Sequence, residues 1–310
     1  MTADLRFIFL GTGTSGGVPV IASDHGASAS DDPRDFRTRQ GSALCWTDPR
    51  GQERIVLLDT TPDLRLQALR HDLRRCDAIL FTHNHVDHIF GLDEVRRFNA
   101  VMKAPIAIYA DQHTMESLQR VYAHIFDRAA NVNDSFVASL LPHDMVCGRA
   151  IDLFGLRFLP IRLLHGRLPI LGFRIEPSPG AWRGDTAPPL PLAYCTDVSA
   201  IPPETWPALE GLDTLVLDGL RHRHHPTHFN LERAVDHAQQ IEARRTWFVH
   251  IAHEIVHAEV DPGLPEGMSL AFDGLTLGPG DAERLTGKRL ALHPRPGADD
   301  PTPARQERSC

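Results

Sequence analysis

A chain of 310 residues, 42% of them hydrophobic, is long enough to bury a large core, as one big domain or two of ordinary size. With 23% charged residues and a formal net charge of −8 it has no global basic field to hold long nucleic acid, so nucleic acid is not an expected partner. No stretch approaches the roughly 18 apolar residues that span a bilayer. The start, Met1-Thr2-Ala3-Asp4-Leu5-Arg6, lacks the basic and apolar regions of a secretory leader, so a cytoplasmic protein with no membrane partner is expected. Apolar runs of strand length fall at Phe7 to Leu10, Ser42 to Trp46, Arg54 to Leu58, Ala78 to Phe81, Ile106 to Tyr109, Leu156 to Leu163, Gly172 to Ile175, Leu192 to Cys195, Thr214 to Leu217 and Thr246 to Val249. Helical periodicity appears at Thr61 to Asp72, Leu92 to Val101, Gln112 to Phe126 and Leu231 to Ala243. Strands and helices interleave, which predicts an α/β layer architecture.

Between these elements lie two irregular stretches, Ala22 to Gln40 and Pro177 to Pro191, and loops of that length in a compact domain usually serve function or motion. The last residues, Ala291 to Cys310, are rich in Pro and charge without apolar periodicity and read as a disordered tail. The five cysteines, Cys45, Cys76, Cys147, Cys195 and Cys310, are odd in number and form no CxxC pair, which argues against a disulfide framework and a thiolate zinc knuckle. Cys45 and Cys195 are expected to pack as small apolar groups in the core.

Histidine is the unusual component, with 18 copies gathered into clusters. The strongest cluster is Thr82-His83-Asn84-His85-Val86-Asp87-His88, directly after the apolar run ending at Phe81. Imidazole and carboxylate suit zinc, manganese or iron. Alternation along an extended segment lets His83 and His85 face one ion while Asp87 and His88 turn toward another. A two-ion site needs more ligands, and His165, Asp197 and His250 each follow a strand-like run. The string Gly11-Thr-Gly-Thr-Ser-Gly16 fits GxGxxG, but it leads into a loop, which removes the helix N-terminus a dinucleotide pyrophosphate would need.

The order HxHxDH, distant His, distant Asp, distant His resembles the metallo-β-lactamase superfamily. Within it the chain is similar to the PhnP-like phosphodiesterase branch (phosphoribosyl 1,2-cyclic phosphate phosphodiesterase-like). The resemblance is carried by Leu10-Gly-Thr-Gly-Thr-Ser15, Leu57-Leu-Asp-Thr-Thr-Pro-Asp63, Tyr194-Cys-Thr-Asp-Val-Ser199, Asp218-Gly-Leu-Arg-His222 through His225-Pro-Thr-His228, and His250-Ile-Ala-His253. It implies an α/β (α+β) fold, an αββα sandwich of two packed mixed sheets flanked by helices. One hydrolase domain over residues 1–285 is expected, with 286–310 as the tail. It implies two divalent ions, zinc or manganese with iron as an option: His83, His85 and His165 on the first, Asp87, His88 and His250 on the second, and Asp197 bridging, with His253 as the alternative to His250. Relatives commonly carry a cysteine-rich zinc loop after the first strand. Here the stretch reads Ile21-Ala-Ser-Asp-His-Gly-Ala-Ser28, so no structural metal is expected there and packing must hold the loop.

The chemistry so implied is hydrolysis of a small anionic phosphodiester, such as a phosphoribosyl cyclic phosphate, by a water activated between two ions. Asp87 belongs to that catalytic centre as well as to the ligand set. The cluster Arg221-His222-Arg223-His224-His225-Pro226-Thr227-His228 supplies proton donors and guanidinium groups. His228 is the expected general acid, and Arg221, His225 and His253 are expected to contact substrate. Asp59 and Asp63 have two readings, as carboxylates orienting the ligating histidines or as caps of the following helix. Other functions on this scaffold are an RNase Z-like tRNA 3′ endonuclease, disfavoured by the acidic charge and the lack of a Lys-rich arm, a lactonase or thioesterase, and a non-hydrolytic metal-binding sensor. Relatives of this fold often dimerise, which makes a second copy of the chain a partner to test.

Overall fold

The computed structural model describes residues 4–127, 129, 136–182 and 189–278, with the backbone of 284–285. The expectation of a disordered tail at 286–310 lies outside the described residues, as does part of the stretch 177–191. The strands form two sheets. The first is eight-stranded, in the order β15 (Arg284–Leu285), β14 (Leu275–Leu277), β1 (Arg6–Gly11), β2 (Gly41–Thr47), β3 (Glu53–Leu58), β4 (Ala78–Leu80), β5 (Ile106–Ala110) and β6 (Leu140–Asp144). The second is seven-stranded, in the order β13 (Met268–Leu270), β12 (Arg245–Val249), β11 (Thr214–Asp218), β10 (Leu192–Cys195), β9 (Leu168–Pro177), β8 (Leu156–His165) and β7 (Ile151–Leu153). Strands β3 to β6 run parallel to one another, as do β10 to β13, and the remaining pairs are antiparallel. Both sheets are therefore mixed.

The alternation of side chains along each strand explains the layers. On β1, Phe7 and Phe9 point between the sheets, where they meet Leu44, Val56, Phe158, Phe173, Tyr194 and Trp247. Ile8 and Leu10 point the other way, against α1 (Leu64–Arg70), α3 (Arg96–Met102) and α4 (Gln112–Val121) through Leu64, Phe98, Met115 and Leu118. The outer face of the second sheet, through Leu215, Leu217 and Phe248, packs on Leu231, Ala234, Ala238 and Ile241 of α6 (Leu231–Ile241). Each of these large apolar side chains contributes about 1.5–3 kcal/mol by leaving water. The result is the expected αββα sandwich.

Every expected strand run lies on an observed strand, while the helices are shorter than their periodicity suggested. The run Leu92 to Val101 divides into a 3-10 turn over Leu92–Val95 and α3. The run Gln112 to Phe126 breaks at Tyr122, after α4, and resumes as α5 (Ala123–Phe126). Cys45 and Cys195 are buried in the two outer cores, where burial pushes both thiols up to about 12.

The loop from Ala22 to Gln40 is held by polar contacts as much as by packing. Its Val18–Arg37 antiparallel bridge closes the base, and the Ala27 N–H donates to the His253 carbonyl at 2.7 Å. Arg37, 1% exposed, donates through Nη1 to Thr12 Oγ1 at 2.9 Å and to the Ala271 carbonyl, with Nη2 3.2 Å from His257 Nδ1. To the packing expected to hold this loop the structure adds a polar tie: a buried guanidinium joins it to the second half of the chain.

Candidate metal centre and its proton donor

All candidate ligands lie at one edge of the sandwich because the strands that precede them end there. In parallel segments the carboxyl ends of the strands share one side, which is where α/β folds place their sites. Asp59 follows β3, the segment His83 to His88 follows β4 and runs into α2 (Val86–Ile89), His165 ends β8, Asp197 follows β10, Asp218 ends β11 and His250 follows β12. Asp59, Asp197 and His250 have φ of 65°, 59° and 59°, the left-handed region that non-glycine residues enter only under constraint. Each chain turns sharply at these points and directs its side chain into the site instead of continuing the strand.

The geometry brings the residues into four overlapping groups whose ligand atoms lie within 4.8 Å of one another: His83, His85 and His165; Asp87, His88, Asp197 and His250; His165, Asp197 and His228; and Asp218, His228 and His250. Asp197 belongs to two of them, as do His165, His228 and His250, and it is the carboxylate that both His88 and His250 face. His88 Nε2 lies 3.3 Å from Asp197 Oδ2 and 3.5 Å from Asp87 Oδ2, while His250 Nε2 lies 3.1 Å from Asp197 Oδ1 and 3.7 Å from Asp87 Oδ2. His83, Asp87, His88, His165, Asp197 and His250 are buried, and His85 is exposed, so the cluster opens to solvent on the His85 side.

The residues fit divalent ions on three observations. First, His83 Nε2, His88 Nε2 and both ring nitrogens of His250 are buried without a hydrogen-bond partner, a costly arrangement unless something else binds them. Second, the opposite nitrogens of three of the imidazoles, His83, His88 and His165, are already engaged. His88 Nδ1 donates to Asp59 Oδ2 at 2.8 Å, and His165 Nδ1 donates to the Thr227 carbonyl at 2.7 Å. His83 Nδ1 is 2.9 Å from Thr82 Oγ1, whose own proton goes to Asp59 Oδ2 at 2.9 Å. Each contact fixes the tautomer that leaves Nε2 as a ligand. Third, the electrostatics match. Burial disfavours cationic His88 and His250, yet Asp197 and Asp87 outweigh it, raising His88 well above its usual range and His250 to about 9. Asp197 stays ionised because His250 and His88 outweigh its burial, while burial pushes His165 down to about 4. Protons here occupy places where a cation is favoured, and a bound divalent ion would displace them.

Asp59 is thus a carboxylate orienting two histidines, and it also accepts the Thr82 N–H at 2.8 Å. Asp63 fills neither expected role. It stands at the N-cap position of α1 without a side-chain cap bond, and its carboxylate takes the Arg39 N–H at 2.9 Å and pairs with the Arg39 guanidinium at 3.2 Å.

Beside this cluster stands a group whose partner sequence reasoning missed. His228, 8% exposed, donates through Nδ1 to Asp218 Oδ2 at 2.6 Å, and its ring stacks on His250 at 4.6 Å between centroids. Asp218 is fully buried and also accepts the Val198 N–H at 2.8 Å. Its signal was an Asp closing an apolar strand run, the same placement that marked Asp197. His225 lies 5.1 Å from His228 between ring centroids, with Nδ1 accepting the Thr227 N–H at 3.3 Å, which leaves its Nε2–H free. Burial, together with His228 and Arg221, keeps His225 neutral by lowering its pKa. Arg221 is turned into its own loop, donating to the carbonyls of Arg223 at 3.3 Å and His224 at 3.2 Å. His253 lies outside the metal-competent groups, with its ring 5.1 Å from that of His25.

A family model described as a β-lactamase superfamily domain matches residues 54–251. A solved structure described as a new diphosphatase from the PhnP family is 38% identical and superposes with a TM-score of 0.76 over 88% of this chain and 96% of that one. An octanoyltransferase of Porphyromonas gingivalis is 32% identical over 274 residues, 87% of this chain, but the chain spans only 51% of that protein's length. A ribonuclease Z of Synechococcus is 25% identical over 275 residues, 87% of this chain and 74% of that protein. Matched across both sheets and through the segments that bear the cluster, the chain belongs to the metallo-β-lactamase superfamily of hydrolases, on its PhnP-like branch.

Proposed function

We propose that the chain is a two-metal hydrolase of a small phosphodiester, with His228 as the proton donor to the leaving oxygen. The observation that carries this reading is the His228–Asp218 pair at the edge of the seven-residue cluster: His228 shares a group with His165 and Asp197, while Asp218 holds its Nδ1. His83, His85 and His165 would hold one ion, Asp87, His88 and His250 the other, and Asp197 both. Two such ions supply Lewis acidity, lowering the pKa of a water and stabilising charge on phosphoryl oxygens.

The chain's own residues do the rest. Asp218 accepts the His228 Nδ1–H, which orients the ring and favours the imidazolium, whose Nε2–H is the proton given up. A neutral His225 offers its Nε2–H to a phosphoryl oxygen. Arg221 braces the loop that carries both histidines, and through the Thr227 carbonyl the same loop orients His165.

A second reading, phosphoanhydride cleavage, is favoured by the likeness to a protein described as a diphosphatase. The two differ in the leaving group: an alkoxide needs a proton at departure, whereas a phosphate leaves without one. Purified protein should hydrolyse bis(p-nitrophenyl) phosphate or a 2′,3′-cyclic nucleotide, lose activity on chelation and regain it with zinc or manganese. If His228→Ala abolishes turnover of an alkyl diester, the phosphodiesterase reading stands. If a nucleoside diphosphate is the better substrate and His228→Ala leaves its turnover intact, the anhydride reading replaces it.

A further inference from the structure

The glycine-rich stretch after β1 takes no part in the cluster, and its spacing is explained by what lies on it. A Cβ on Gly11 would stand 2.0 Å from the Arg39 carbonyl oxygen, and one on Gly13 2.9 Å from that of Arg37. Glycine at both places lets residues 37–39 lie directly along residues 11–13, with the Gly13 N–H donating to the Thr38 carbonyl at 2.8 Å. The contact brings two threonines onto one carboxylate. Asp273 Oδ1 accepts the Thr12 N–H and Oγ1–H, both at 2.9 Å, and Oδ2 accepts the Thr38 N–H at 2.8 Å and Oγ1–H at 2.7 Å. Arg70 Nη1 reaches Oδ2 at 3.2 Å, and Arg37 Nη1 donates to Thr12 Oγ1 at 2.9 Å.

The other edge of the Thr12 segment holds the residue after His250. The Ile251 N–H donates to the Thr12 carbonyl at 2.9 Å, and the Thr14 N–H donates to the Ile251 carbonyl at 3.1 Å. On the far flank the Gly219 N–H donates to the Val249 carbonyl at 3.0 Å and the Ala252 N–H to the Leu220 carbonyl at 2.8 Å. His250, with φ of 59°, is therefore gripped from both sides. A side chain holds that conformation only when its neighbours over-determine it.

We propose that Asp273 is a positioning residue for His250: by fixing Thr12 against Thr38 it fixes the Ile251 peptide, and with it the aim of the His250 ring at Asp87 and Asp197. Affinity for one of the two ions then depends on a carboxylate outside every metal-competent group. The inference rests on the reading of His250 as a metal ligand.

The test is stepwise zinc binding by the full chain, followed in competition with a chromophoric chelator, together with the melting temperature of the metal-free protein. His250→Ala identifies the step to watch. Asp273→Asn keeps the shape and removes the charge, and Thr12→Val removes only the hydroxyl, which keeps the test available if the first variant fails to fold. Asp48→Asn is the control, a buried carboxylate in the β2–β3 turn that accepts the Arg50 and Gln52 N–H groups and the Arg54 Nε–H. Asp273→Asn or Thr12→Val should weaken the His250-dependent step by about tenfold, at the lower end of what orienting partners of metal ligands contribute, and leave the other step unchanged. Asp48→Asn should lower the melting temperature and leave both steps unchanged. Wild-type constants in both test variants, or equal weakening of both steps, would overturn the proposal. A wild-type chain that binds fewer than two ions would overturn the two-metal reading itself, and this inference with it.

Discussion

Two buried polar clusters sit close together in the chain, and they differ in what their atoms touch. Around Arg37 and Asp273, most groups are paired: Asp273 has partners on both oxygens, and Arg37 uses both terminal nitrogens, with only Arg37 Nε and Asp35 Oδ2 unpartnered. Around Asp197, His83 and His88 are paired on the side away from the centre and bare on the side facing it, and His250 is bare on both ring nitrogens. Burying a polar group without a partner costs about 1–3 kcal/mol, so the first cluster is arranged to hold the fold and the second to receive something. Polarity and burial alone do not separate a structural network from a site. The direction in which the unsatisfied atoms point does.

That contrast breaks most sharply if variants in the two clusters behave alike. Arg37→Met removes a buried guanidinium and leaves its acceptors, Thr12 Oγ1, the Ala271 carbonyl and His257 Nδ1, without that donor, which should cost about 1–3 kcal/mol of stability for each buried acceptor left unpaired. His228→Ala should instead lower kcat on an alkyl phosphodiester by about 10²–10⁴-fold, the usual contribution of a positioned proton donor, with metal content and melting temperature near wild type. Calorimetry and metal analysis on the two purified variants separate these outcomes. If His228→Ala loses metal as well, His228 is a ligand, and the group it forms with Asp218 and His250 would have to be reassigned.

Within the centre itself a smaller effect tests the orienting layer. Asp59→Asn keeps an acceptor for one neighbour but no longer serves both His88 and the Thr82–His83 relay, and it should lower metal affinity by about 10–100-fold while the fold persists. Unchanged metal affinity in that variant would mean that packing, not Asp59, sets the two ring orientations.

The sequence displayed the ligands more clearly than their supports. HxHxDH is a local string, and a strand period before it already places its members at a sheet edge. His165, Asp197 and His250 each end an apolar run, so their shared edge was legible too. Asp59 and Asp63, in contrast, are indistinguishable in sequence, both acidic and both shortly ahead of a helix. Only the turn at Asp59 (φ 65°) sends one of them into the site, while the other meets Arg39. Asp273 was not legible at all, because its meaning depends on glycines on either side of Thr12, 261 residues away, that let two threonines approach it. In the fold, central strands announce themselves by continuous apolar runs. Strands such as β6, reading Leu-Leu-Pro-His-Asp and largely exposed, carry no burial pattern to read. Helices shortened for a similar reason: apolar periodicity persists across Tyr122, but its backbone leaves the helical region (φ −109°, ψ 39°) and its hydroxyl donates to the Ile89 carbonyl at 2.9 Å.

The remaining expected effect concerns acid. In the structural cluster Arg37 Nη2 lies 3.2 Å from His257 Nδ1, and a guanidinium can donate to that nitrogen only while it is unprotonated. Burial, then the Arg37 and Arg34 charges, push His257 down to about 3, against about 6.5 in an unfolded chain. The folded state therefore resists a proton that the unfolded state accepts. The sign follows: this contribution is fully present above about pH 6.5 and is lost as pH falls toward 3, with a slope of at most about 1.4 kcal/mol per pH unit. His257→Gln removes the titration and keeps a side-chain acceptor, so urea denaturation of wild type and variant between pH 7 and pH 4.5 should diverge, with the wild type losing stability faster. Protonation of the metal centre occurs in both proteins and cancels in the difference. Parallel curves would mean that the Arg37 network rearranges to admit the proton, and the cluster assigned here to holding the fold would then share the adaptability of the one beside it.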